Sequence, residues 1–180
     1  MKASLFAGSA ITVVGFAIFA TLLLCACVSD IQRRRIPNSV AALLAATGMA
    51  YSVTASTNPG RALAVSVAGL LLGLGLWFPL YAVHWLGAGD VKLFAAAGAW
   101  LGPARTFQGA LIGALIGGVL AVVWMLFAYG LKGTAATAAL AINNPRKIVN
   151  HGVDVKSRRA IPYGVALAIG AMAAALLPLP

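Results

Sequence analysis

The chain has three acidic side chains, Asp30, Asp90 and Asp154, and no glutamate. Two of them stand at the margins of apolar stretches: Asp30 closes the uncharged run 3–29, and Asp90 follows the uncharged run 62–89. A carboxylate near hydrocarbon is costly and is retained mainly where it faces a cavity or a partner. For one such aspartate, an ion pair with a nearby arginine is explanation enough. Two of them, at corresponding edges of a chain almost free of acid, suit paired-carboxylate chemistry. In such a pair one group stays ionised and takes a proton from water. The other, held protonated, polarises a scissile carbonyl. Asp154, among Lys156, Arg158 and Arg159, reads as a solvated charge partner.

The surroundings of the two aspartates are specific. Asp90 sits in Gly87-Ala88-Gly89-Asp90-Val91-Lys92-Leu93, where glycines let a backbone come close to the carboxylate. Asp30 begins Asp30-Ile31-Gln32-Arg33-Arg34-Arg35-Ile36-Pro37-Asn38, with Pro37 suited to the first turn of a following helix. A third piece, Ile161-Pro162-Tyr163-Gly164, opens the last apolar run. Lys92 has two readings, a group that tunes Asp90 or orients substrate, and a plain anchor to headgroups. His84 and His151 could be combined with Asp90 into a zinc or iron site, but no ligand-spacing motif supports it. His84 beside Trp85 reads as interfacial, and no metal is expected. Cys25 and Cys27 lie in an apolar run without a CxxC spacing and read as packing residues.

The elements that must position these groups follow from composition. Of 180 residues 62% are hydrophobic and 9% charged, with a mean hydropathy of +0.96. A soluble domain is about 45–50% apolar and about 25% charged, so a water-soluble globular fold is excluded. The net charge of +10 falls in short clusters between apolar runs, which suits headgroups and the orientation rule rather than nucleic acid. A spanning helix needs about 20 apolar residues. The expectation is an all-α, polytopic membrane protein of one domain. It has about six transmembrane helices, near 5–28, 38–56, 62–83, 89–103, 107–130 and 161–178. The uncharged run 93–104 is short, so the fourth helix spans only by recruiting residues toward Gly87 or by thinning the bilayer.

With six alternating helices, the segments 29–37, 84–92 and 131–160 share one side and hold ten of the thirteen basic residues. The other side holds Lys2, Arg61 and Arg105. That bias puts the three basic segments and all three aspartates in the cytoplasm and both termini outside. Leu24-Cys25-Ala26-Cys27 imitates a lipidation signal, but five apolar segments follow and the stronger basic cluster comes after it, so 5–28 reads as a retained helix. Gly109, Gly113 and Gly117 recur every four residues, a small-residue face for close helix packing. The segment 131–160 contains a candidate interfacial helix, Thr134 to Ala141, which breaks at Asn143-Asn144-Pro145.

At its three polar pieces the chain resembles the type IV prepilin peptidases, membrane aspartyl proteases of the GxGD kind, and most closely their short Flp/Tad-pilus branch. Gly87-Ala88-Gly89-Asp90 with Val91-Lys92-Leu93 is similar to the second-aspartate motif. Asp30 with Arg35-Ile36-Pro37-Asn38 is similar to the first, and Ile161-Pro162-Tyr163-Gly164 to the last-helix motif. The resemblance implies Asp30 and Asp90 as the catalytic pair, with Gly87, Gly89, Lys92, Pro37, Asn38, Pro162, Tyr163 and Gly164 as motif support. It implies cleavage of a prepilin's basic leader after a glycine, at the cytoplasmic face of a bacterial inner membrane, with no metal or organic cofactor. The partners implied are the prepilin, membrane lipid and the pilus-assembly machinery. Longer relatives carry a paired-cysteine domain and methylate the new N-terminus; nothing here is similar to that domain, so methylation is not expected. Two other classes stay open, a proton- or ion-coupled transporter and a non-catalytic scaffold of pilus assembly. A transporter usually places its aspartates near the midplane of repeated halves; no internal repeat is visible here.

Overall fold

The computed structural model describes residues 10–33, 36–143 and 163–177. These residues form five helices and, among themselves, no strand. The helices are α1 (Ala10–Arg33), α2 (Asn38–Thr54), α3 (Pro59–Ala82), α4 (Ala88–Asn143) and α5 (Tyr163–Leu176). Three are long and apolar enough to cross a membrane, over Val13–Gln32, Pro59–Ala82 and Ala88–Val123. α5 is a shorter apolar helix, and α2 has 17 residues. The outer faces carry exposed Leu71, Leu115 and Phe127, the last 90% exposed. So large an apolar surface is at home in lipid.

Local chemistry sets the helix ends. α3 starts at Asn58, whose side chain accepts the Arg61 backbone N–H at 3.1 Å, followed by Pro59, which has no N–H to leave unpaired. It ends in a double cap. The Trp85 N–H donates to the Leu80 carbonyl and the His84 N–H to that of Tyr81, both at 2.9 Å. This pattern needs a left-handed residue after the helix, usually glycine. His84 fills it with φ 61°, so its backbone closes α3 and is not only an interfacial ring.

α4 decides the architecture. A straight helix over the 36 residues of Ala88–Val123 would be about 54 Å long, against a hydrocarbon core of about 30 Å. The chain doubles back instead. Asp90 faces Gly164 of α5, while Gly117 lies against the ring of the adjacent Tyr163. In a straight helix those two positions of α4 would be about 40 Å apart. The reversal falls at Gly102, with φ 70°, and at Pro103, whose missing N–H suits the first turn of a new limb. Thr106 Oγ1 donates to the Gly102 carbonyl at 2.7 Å and steadies that turn.

Among the described residues the six expected helices fall in five elements. The fourth and fifth are two limbs of α4, 88–101 and 103–143, which follow one another with no loop between them, the chain reversing at Gly102. The first limb is central: residues 93–102 are all buried, walled by α2, α3 and α5. A helix enclosed by protein need not match the bilayer, which removes the need for thinning there. α1 runs a turn beyond the expected end, so Asp30 lies inside its last turn rather than after it. Pro37 is the cap residue of α2 rather than part of its first turn. The segment expected as a separate helix at 134–141 is continuous with α4, which ends at Asn143, at the expected break.

The limbs pack through small residues. Gly69 of α3 and Gly98 of α4 each lie against the other's carbonyl, so any side chain at either position would meet backbone that cannot move aside. On the second limb Gly109 faces Gly170 and Ala174, and Gly113 faces Leu167. The four-residue glycine spacing was expected to serve packing, and it does. Trp100 locks α2 to the central limb by donating its indole N–H to the Leu44 carbonyl at 2.8 Å.

Candidate active site

Asp90 is the third residue of α4. The Gly87 carbonyl accepts the Val91 N–H at 3.3 Å, which makes Gly87 the cap, and the Asp90 carboxylate turns back onto the Gly87 amide. This is the returning half of a capping box, with an acidic side chain at a helix N-terminus. A β-carbon added to Gly87 would stand 3.2 Å from Asp90 Oδ2. One added to Gly89 would stand 3.3 Å from Ile36 Cβ. The two glycines of Gly-Ala-Gly-Asp thus have separate uses: the first admits the carboxylate, the second admits the segment leading into α2.

Asp30 arrives from the last turn of α1, half-buried like Asp90. Gly164, second residue of α5, brings them together. A β-carbon on Gly164 would stand 2.8 Å from Asp30 Oδ2 and 2.9 Å from Asp90 Oδ1. The two oxygens can therefore be no farther apart than those distances laid end to end. The Gly164 amide faces the Asp30 carboxylate. Asp30 Oδ2 is buried and has no hydrogen-bond partner among the described residues. A proton shared with Asp90, or a water between the two, would satisfy it. The N-termini of α4 and α5 both point at the pair, so unpaired amides of two first turns favour negative charge there.

The first and second aspartate segments are also tied directly. Lys92 Nζ donates to Asn38 Oδ1 at 3.2 Å. Pro37 precedes Asn38 as the cap, and its carbonyl accepts the Val40 N–H at 3.1 Å. Tyr163 stacks its ring on Gly117, which holds the start of α5 against the second limb of α4. Of the residues singled out in the sequence, Asp30, Asp90, Gly87, Gly89 and Gly164 meet at one place, with Lys92 and Asn38 bridged beside them. Pro162, His151 and Asp154 lie outside the described residues. His84 is committed to the cap of α3, and no three of His, Cys, Asp and Glu cluster among the described residues. Cys25 and Cys27 are free thiols in α1.

Two contacts were not readable beforehand. Gly117 was read as helix packing alone, yet it seats the tyrosine beside Gly164. The Lys92–Asn38 bond joins segments 54 residues apart, and only the polarity of both residues beside apolar runs hinted at it.

A bundle of apolar helices with two aspartates converged at one end defines a membrane protein built around a carboxylate pair. The chain belongs to the type IV leader peptidase family, whose model matches residues 17–122. That span includes Asp30 and Asp90; Tyr163 and Gly164 lie beyond it. Over 102 residues the chain is 32% identical to the prepilin leader peptidase/N-methyltransferase of Klebsiella pneumoniae. The match covers 51% of this chain and 42% of that relative. No solved structure matches the chain.

Proposed function

We propose that the chain is a membrane aspartyl endopeptidase that removes the basic leader of type IV or Flp prepilins. The observation that carries this reading is the convergence of Asp30 Oδ2 and Asp90 Oδ1 on the bare backbone of Gly164. Family membership gives the reaction class; the pair supplies a chemistry for it. One carboxylate takes a proton from a water whose oxygen attacks the scissile carbonyl carbon. The other gives its proton to the carbonyl oxygen, forming a tetrahedral gem-diol. Collapse breaks the C–N bond, and the leaving amine takes up a proton from the pair. Two carboxyls suffice for these transfers, so neither metal nor organic cofactor enters the proposal.

The proposed setting is the cytoplasmic face of a bacterial inner membrane, crossed six times by α1, α2, α3, the two limbs of α4, and α5, with both termini outside. The ten-to-three division of basic residues supports that orientation. Gly87 and Gly164 leave room for the carboxylates themselves to converge, and Lys92 and Asn38, bridged to each other beside them, orient the peptide in this proposal. The short Flp/Tad-type branch is the assignment favoured by the motif resemblance, with the pilus-assembly machinery as a further partner. Co-expression with small pilin-like proteins tests the reading by the mass of the pilin. Loss of the leader is the expected result; an intact leader beside abundant, inserted enzyme would overturn it.

A further inference from the structure

We infer that the end of the bundle away from the aspartates binds the headgroup of an anionic phospholipid. A cavity of about 570 Å³ opens there between the end of α2, the start of α3 and the bend of α4. One wall is the Tyr51–Trp100 stack, with ring centroids 5.1 Å apart, and Trp100 is held in place by its bond to the Leu44 carbonyl. α2 has 17 residues, about 25 Å of helix, with Asn38 and Lys92 at its other end. The cavity is thus remote from the carboxylate pair and independent of the proposed reaction.

Arg61 is the only charged residue that lines it among the described residues. Among the described residues the Arg61 guanidinium has no partner. Asp30 and Asp90, the carboxylates among the described residues, are at the far end of the bundle. A guanidinium beside a cavity calls for an anion from elsewhere, and its forked donors fit phosphate oxygens. The hydroxyls lining the cavity have the complementary polarity. Ser52 donates to the Gly48 carbonyl at 2.9 Å and Ser66 to that of Ala99 at 2.6 Å. Each hydroxyl oxygen is left as an acceptor, suited to hydroxyl donors on the same ligand. A phosphodiester that carries free hydroxyls, as in phosphatidylglycerol, supplies both groups. Val65 lines the cavity and is 44% exposed, and Ala68, one turn further along the same face of α3, is exposed too. That apolar margin continues into the outer face of the helix and gives an acyl chain its path. The occupant is therefore an amphiphile and not a soluble phosphate.

Native mass spectrometry of the full chain in neutral detergent, titrated with phosphatidylglycerol or phosphatidylcholine, tests this. Phosphatidylglycerol is expected to bind at least about tenfold more tightly, the size of one charged hydrogen bond. Arg61→Gln should abolish that preference. Ala62→Trp, which fills the mouth without changing charge, should also abolish it. Wild-type preference in Arg61→Gln would overturn the site. Displacement of the lipid by glycerol phosphate at the same concentration would overturn its assignment to a lipid.

Discussion

Gly164 has no side chain, and that is what allows Asp30 and Asp90 to approach a common point. A methyl there would stand within 3 Å of an oxygen of each carboxylate and push the pair apart. Gly164→Ala is therefore expected to lower leader cleavage by roughly 10²-fold, the usual cost of a misplacement near 1 Å, with helix content unchanged by circular dichroism. The sequence made both aspartates and this glycine visible, because a carboxylate beside an apolar run is expensive and needs a reason. It could not show which way the carboxylates turn, since that depends on three helix ends meeting in space. His84 makes the opposite point. Nothing in its neighbours reveals a φ of 61°; the cap that imposes it is a backbone pattern. His84→Gly should raise stability by roughly 1 kcal/mol, the relief of a left-handed β-carbon, measurable by thermal unfolding in detergent, and should leave cleavage unchanged.

Among the elements, the bend of α4 separates what was legible from what was not. The expected fourth helix ends at 103 because the uncharged run there stops before Arg105. Its continuity with the next limb, and its enclosure by the other helices, depend on packing that no linear pattern encodes. α1 outran its expected end for a local reason: no glycine or proline stops it until Pro37, so Asp30, Ile31 and Gln32 stay helical. If the bend aligns the first limb with α5, forcing a β-carbon into it must be costly. Gly102→Ala is expected to destabilise by about 1–2 kcal/mol from the left-handed backbone alone. The new carbon would also stand 3.1 Å from Val65 Cγ1. Unfolding midpoints of the purified variant against wild type measure the loss.

For the whole molecule, composition excluded a soluble fold, because 9% charge cannot coat a soluble surface, and uncharged runs of about 20 residues gave the all-α membrane reading. The proposed orientation rests on loop charge and has its own test. A cysteine introduced at Gln32, exposed beside the aspartates, should be protected from an impermeant reagent in intact cells. One at exposed Thr57, in the connection between α2 and α3, should react. Thr57 serves better than Asn58, whose side chain caps α3. Labelling at Gln32 without labelling at Thr57 would reverse the orientation and put the carboxylate pair on the wrong face for a cytoplasmic leader.

The central claim is that Asp30 and Asp90 act together on one peptide bond, and leader removal by purified chain measures it most directly. Asparagine keeps nearly the volume of aspartate but neither ionises nor acts as an acid. Asp30→Asn and Asp90→Asn should each lower the rate by at least about 10²–10⁴-fold. The double variant should be scarcely worse than either, because the two groups work as a unit. Asp154→Asn should keep most activity. An asparagine variant at 30 or 90, present at wild-type abundance and still removing the leader at a near-normal rate, would contradict the pair.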